Sequence, residues 1–120
     1  MKIIQIINTL PSLQKLAACE LSLSKLYQIS KLLGNLEDEV AFYNAQRNKI
    51  LAKYCDIVGN QYVPRAEDEE ALNAEMAELL NMNVDKDIQE VALSVEENIK
   101  LSYNDLVALK GFVRIEGEEQ

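Results

Sequence analysis

Apolar positions step alternately three and four residues along one stretch of this chain: Leu26, Ile29, Leu33, Leu36, Val40 and Tyr43, then past Arg47 to Ile50 and Tyr54. That rhythm keeps one side of an α-helix apolar for roughly thirty residues, or about 45 Å. It predicts one long central helix over about 24–54, with Ser22 or Ser24 capping its first turn. Gly34 and Asn35 interrupt the stripe without shifting its phase, so a kinked but continuous helix fits best. Gly34 weakens such a helix by about 1 kcal/mol. Two antiparallel helices are the competing arrangement.

The remaining pattern predicts shorter elements. Residues 2–8 hold four Ile in seven positions, which favours a short first strand because Ile is β-branched. Pro11 suits the first turn of a following helix, in which Leu10, Leu13, Leu16 and Ala17 share a face and which ends near Glu20. After the long stripe, Gly59-Asn60 between β-prone residues 57–63 signals a hairpin, and Pro64 confines it to an edge. Residues 67–70 open another helix with acids at its positive end, burying Leu72, Met76, Leu79 and Leu80. Val84, Ile88, Val91 and Leu93 fit a strand broken near Gln89 and Glu90, and residues 94–100 read as a loop. Ser102 and Asp105 form a capping box for a last helix using Leu106, Leu109 and Val113, and the tail at 116–120 frays. The fold class expected is α+β and predominantly helical, with one small hairpin or sheet.

Composition narrows the class further. With 120 residues, 48% apolar and 27% charged, the chain reads as a single domain able to bury a core and too hydrophobic for disorder. The net charge of −8 is unevenly spread. Residues 1–65 carry eight bases against five acids (+3), and residues 66–120 carry four against fifteen (−11). An acidic surface repels nucleic acid, so no direct nucleic-acid binding is expected. No apolar run approaches the ~20 residues that span a bilayer, and the expectation is a soluble, intracellular protein. Cys19 and Cys55 lie 36 positions apart without a CxxC pair and read as reduced core thiols.

Candidate chemistry is sparse. His is absent, which removes the commonest general base and the commonest metal ligand together. The four glycines are isolated, so no phosphate-cradling loop is present. The acidic runs place neighbours on different helix faces and lack the ExxH spacing of helix-bundle metal sites. The expectation is therefore a non-enzyme with no cofactor and no metal. Its candidate interface residues are Phe42, Tyr43 and Arg47 on the stripe, and Glu67, Asp68, Glu69, Glu70, Glu75 and Glu78 in the acidic half. Arg47 stands where an apolar side chain is expected, and Phe42 beside Tyr43 becomes an interface anchor if exposed.

Five segments carry a resemblance: LSLSKLYQISKLL (21–33), EVAFYNAQRNKILAKY (39–54), the Gly-Asn turn, ELLNMNVDKDI (78–88) and LSYNDLVALKGFV (101–113). Together they cover most of the chain, which resembles small proteins of phages and prophages of Gram-positive bacteria. The group's hairpin is longer and more charged than VGNQYVP here. The resemblance implies a phage origin, with residence in the cytoplasm of the bacterial host or in the virion, and implies no activity. The expected function is binding to phage or host protein chains, in virion morphogenesis or as a homo-oligomer, because a second copy can cover a stripe that short helices cannot. The alternative is a counter-defence inhibitor whose acidic half blocks a basic nucleic-acid site on a host protein.

Overall fold

Ile3, Ile6, Leu13 and Leu16 recur at helical spacing and are all fully buried. In the computed structural model, which describes residues 1–94 and 99–116, they form the inner face of the first helix, α1 (Ile3–Ala17). This corrects the strand expected at residues 2–8. The β-branched preference of Ile yields to tertiary burial, since a helix puts Ile3 and Ile6 on the same face as Leu13. Each such side chain contributes about 1.5–3 kcal/mol on leaving water. The β character shrinks to a single antiparallel bridge between Lys2 and Asn83. Pro11 consequently lies inside α1, at an exposed position, and not in its first turn.

The long stripe divides in two. Helix α2 (Leu23–Asn35) is capped by Ser22, whose hydroxyl accepts from Lys25 N–H, and helix α3 (Glu37–Tyr54) follows after one residue. Leu36 at the junction has φ −97° and ψ −5°, enough to break a single central helix over 24–54. Its N–H bonds the Leu33 carbonyl and its own carbonyl receives Val40 N–H, so the phase passes through. Glu37, Asp38 and Glu39 then sit in the first turn of α3, where the helix dipole favours acids.

Helix α3 runs directly into a hairpin of β1 (Cys55–Val58) and β2 (Gln61–Pro64), paired antiparallel with Val58 opposite Gln61. Gly59 takes φ +65° while Asn60 keeps a negative φ, the combination of a type II′ turn. A short 3-10 turn (Ala66–Asp68) leads to α4 (Glu69–Leu80). The contacts of Tyr54 with Glu75 and of Glu39 with Lys86 show that α4 and the segment after it return along α3.

The C-terminal part closes the core. Strand β3 (Val91–Ser94) pairs in parallel with β4 (Val113–Glu116), and α5 (Tyr103–Ala108) lies in the crossover between them. The strand expected across 82–93 is thus confined to its last residues. Val113, expected on the last helix, belongs to β4, because Gly111 at φ +86° ends the helical path first. The expected loop at 94–100 and frayed tail at 116–120 fall mostly on residues 95–98 and 117–120, outside the described residues. One apolar core joins α1, α2 and the β3–β4 pair through Ile6, Leu13, Ile29, Leu93, Leu109 and Phe112. Cys19 and Cys55 are both free thiols.

The molecule is elongated, with extents of 54 × 31 × 26 Å and a radius of gyration of 17.4 Å. A chain of this length packed compactly has a radius of roughly 13.6 Å. The head, built on α1, α2, α5 and β3–β4, holds most of the core. The arm, α3 with the hairpin and α4, accounts for the extra length.

Candidate protein-binding surface

The hairpin cannot bury itself. Ile57 is 69% exposed, Val58 62%, Val63 43% and Tyr62 38%, so both faces of the ribbon carry apolar side chains into solvent. A lone two-stranded ribbon in water is marginal at best, so something else must hold it. That something is Arg65, the residue after β2. Its Nη2 donates to the Lys53 carbonyl at 2.6 Å, its Nε to Asp68 Oδ2 at 2.7 Å and its Nη1 to Asp56 Oδ1 at 3.3 Å. One planar fork thereby joins the end of α3, strand β1 and the turn before α4. The Asp68 contact above all raises the Arg65 guanidinium further above its ordinary value.

A second clamp lies at the end of α3. The Tyr54 hydroxyl and the Lys53 ammonium both donate to Glu75 Oε2, the lysine at 3.3 Å. The Tyr54 hydrogen bond, then Lys53, holds the Glu75 carboxyl below its usual range; Tyr54 and then Glu75 raise the Lys53 ammonium. These two clamps fix the direction in which the hairpin projects.

Helix α3 itself has no fully buried residue. Its inner stripe, Val40, Tyr43, Ile50 and Tyr54, is half-buried against the rest of the chain. Phe42 is 41% exposed on the outer side, while Tyr43 is half-buried and Arg47 is exposed. In the acidic half, Glu67, Glu69, Glu70 and Glu78 are exposed, but Asp68 and Glu75 are engaged by Arg65 and by Tyr54 with Lys53. The candidate residues therefore lie on neighbouring helices without converging on one point. Ile57, Val58, Tyr62, Val63 and Arg65 escaped the sequence reading. The strong β pattern flanking Gly59-Asn60, with no alternating polar face, was the available signal for the first four.

The head carries the most polar cluster. Asp105 accepts from Ser12 Oγ at 2.8 Å, Lys15 Nζ at 2.6 Å, Ser102 N–H at 3.0 Å and Ser102 Oγ at 3.1 Å. Lys15, then Ser102 and Ser12, holds its carboxyl far below the usual range. The bonds from Ser12 and Lys15 join α1 to α5, and those from Ser102 close the first turn of α5. An open cleft of 670 Å³ is lined by Tyr27, Lys31, Leu32, Asp87, Glu90 and Val91. Among the described residues no group of three or more His, Cys, Asp or Glu is placed to hold a metal, and no helix is long and apolar enough to cross a membrane. No protein-family model matches the chain, and neither does any curated protein or solved structure.

Proposed function

We propose that this chain is a non-enzymatic protein-binding protein of phage origin that works through the arm, first of all by self-association. The observation that carries this reading is the hairpin. Four apolar side chains are held in water by two polar clamps that fix their direction. A surface ordered in advance loses less freedom on binding than one that must be ordered by its partner. The exposed area agrees. The chain exposes 8029 Å², where a monomer of its mass exposes roughly 6,600 Å². A standard protein interface takes about 800 Å² from each partner, so the excess is sufficient for one.

The charge-mimic alternative draws on fewer groups than the sequence offered, since Asp68 and Glu75 are occupied within the chain. Sedimentation equilibrium tests the main reading. The wild-type mass should rise above 13.6 kDa with concentration. An Ile57→Asp/Val63→Asp variant should shift that rise to higher concentration while keeping its helical spectrum. A constant monomer mass up to the high micromolar range would overturn self-association.

A further inference from the structure

Behind the stripe that faces the chain, α3 carries a second stripe. Asp38, Phe42, Ala45, Lys49 and Ala52 recur at spacings of four, three, four and three, and all five are exposed. At 100° per residue their mean direction lies nearly opposite that of Val40, Tyr43, Ile50 and Tyr54. Such spacing lines one side of the helix, here with Phe42 and two alanines between and beside two charged residues, Asp38 and Lys49. Charge along α3 is also polarised. Glu37, Asp38 and Glu39 occupy its first turn, and Arg47, Lys49 and Lys53 its second half.

Polarised charge selects an orientation. Two copies of α3 laid parallel would set acid against acid and base against base; laid antiparallel, each acidic first turn meets the other copy's basic half. With a two-fold axis near Ala45, Phe42 of one copy falls across Ala45 and Lys49 of the other. Asp38 then comes beside the second copy's Lys49 or Lys53. Among the described residues, neither Asp38 nor Lys49 has an ion-pair partner within its own chain. Resting on the self-association reading, we infer that the occupant of this face is a second copy of the chain. The two α3 helices pack antiparallel in an isologous dimer.

Charge reversal tests this, because a two-fold axis makes every contact occur twice. Asp38→Lys alone and Lys49→Asp alone should each raise the dimer dissociation constant at least about tenfold. The double variant Asp38→Lys/Lys49→Asp should recover most of that loss. Residues eleven apart on one helix are about 16 Å apart and cannot meet within a chain, so recovery reports a contact between copies. In a Cys19→Ser background, Ala45→Cys should oxidise to a disulfide-linked dimer, while Ser30→Cys on α2 should not. A monomer at every concentration overturns this pairing together with self-association. A dimer that is indifferent to both reversals and forms no link through position 45 overturns the antiparallel pairing alone and returns the interface to the hairpin.

Discussion

The Ser12 hydroxyl of α1 donates to Asp105 of α5 across 2.8 Å, joining positions 93 apart in the chain. Asp105 also occupies the third position of its own helix, where it completes a capping box with Ser102. One carboxylate thus closes the first turn of a six-residue helix and holds that helix to α1. A helix so short has little stability of its own, which makes the carboxylate decisive for the C-terminal closure.

Stability should follow the charge of Asp105. Its folded pKa lies below its unfolded one, so its contribution is complete above the unfolded carboxylate pKa of about 3.9 and is lost as pH falls toward the folded value. Asp105→Asn should therefore melt below wild type at pH 7, and the gap should close as pH drops below about 4. Melting curves of both proteins between pH 7 and pH 2.5 check this. A gap independent of pH would contradict it.

Thr9 is fully buried in α1, and its hydroxyl has no hydrogen-bond partner among the described residues. Valine has the same shape without the desolvated oxygen. Thr9→Val should raise stability by about 1 kcal/mol, read as a higher urea midpoint at unchanged m-value. A lower midpoint would show that the hydroxyl is bonded in solution.

Gly34 lies in α2 just before the Leu36 junction, without a positive φ and with open space where a Cβ would stand. Gly34→Ala should stabilise the protein by roughly 0.4–1 kcal/mol through the unfolded chain. Equilibrium unfolding decides the matter, and destabilisation would mean that the junction needs glycine's freedom.

Arg65→Lys removes the planar fork and keeps the charge. Hydrogen exchange should accelerate at the amides of Asp56 and Val63, a hydrogen-bonded pair of the hairpin, while those of α1 keep their protection. Equal acceleration in both places would show that Arg65 supports the whole fold and not the arm alone.

Reversing Glu67, Glu70 and Glu78 to Lys weighs two opposed effects. Acids near the N-terminus of α4 contribute about 0.3–1 kcal/mol each, and relief of a net −8 offsets part of their loss. The triple variant should fold and keep its self-association in sedimentation runs. Loss of association in a folded triple variant would transfer the binding surface to the acids.

The sequence disclosed this fold unevenly, and the pattern of success has physical causes. The Gly59-Asn60 hairpin, the Ser22 cap and the Ser102–Asp105 box were legible because each rests on chemistry within a few residues. The α+β class followed from the same local signals. The second half of helix α1 was legible from Leu13 and Leu16, but its first turns were not, because four Ile favour a strand until a buried surface appears for Ile3 and Ile6 to share. The break at Leu36 was hidden for the opposite reason: phase persists across it, and phase was the signal. Strand β4 was missed because Val113 continues the three-four spacing of Leu106 and Leu109, and the pairing of Val113 with Val91 decides against a helix. In the arm, Phe42 was visible as a large apolar residue, whereas the contacts of Arg65 depend on a carbonyl twelve residues earlier.

The two halves of the molecule also differ in when they can form. The arm is contiguous from Glu37 to Leu80 and closes through partners no more than 22 positions apart in its two clamps. The head joins Leu13 to Leu93 and Phe112, and Ser12 to Asp105. Near neighbours find each other quickly and distant ones slowly. During synthesis, α1 emerges first and can pack on α2, α3 and α4 as they follow, but the part of its face that meets α5 stays uncovered until residues 103–108 arrive, long after the arm has the residues it needs. Amino-acid changes that weaken α5 would thus leave part of the first helix exposed while the arm is already folded.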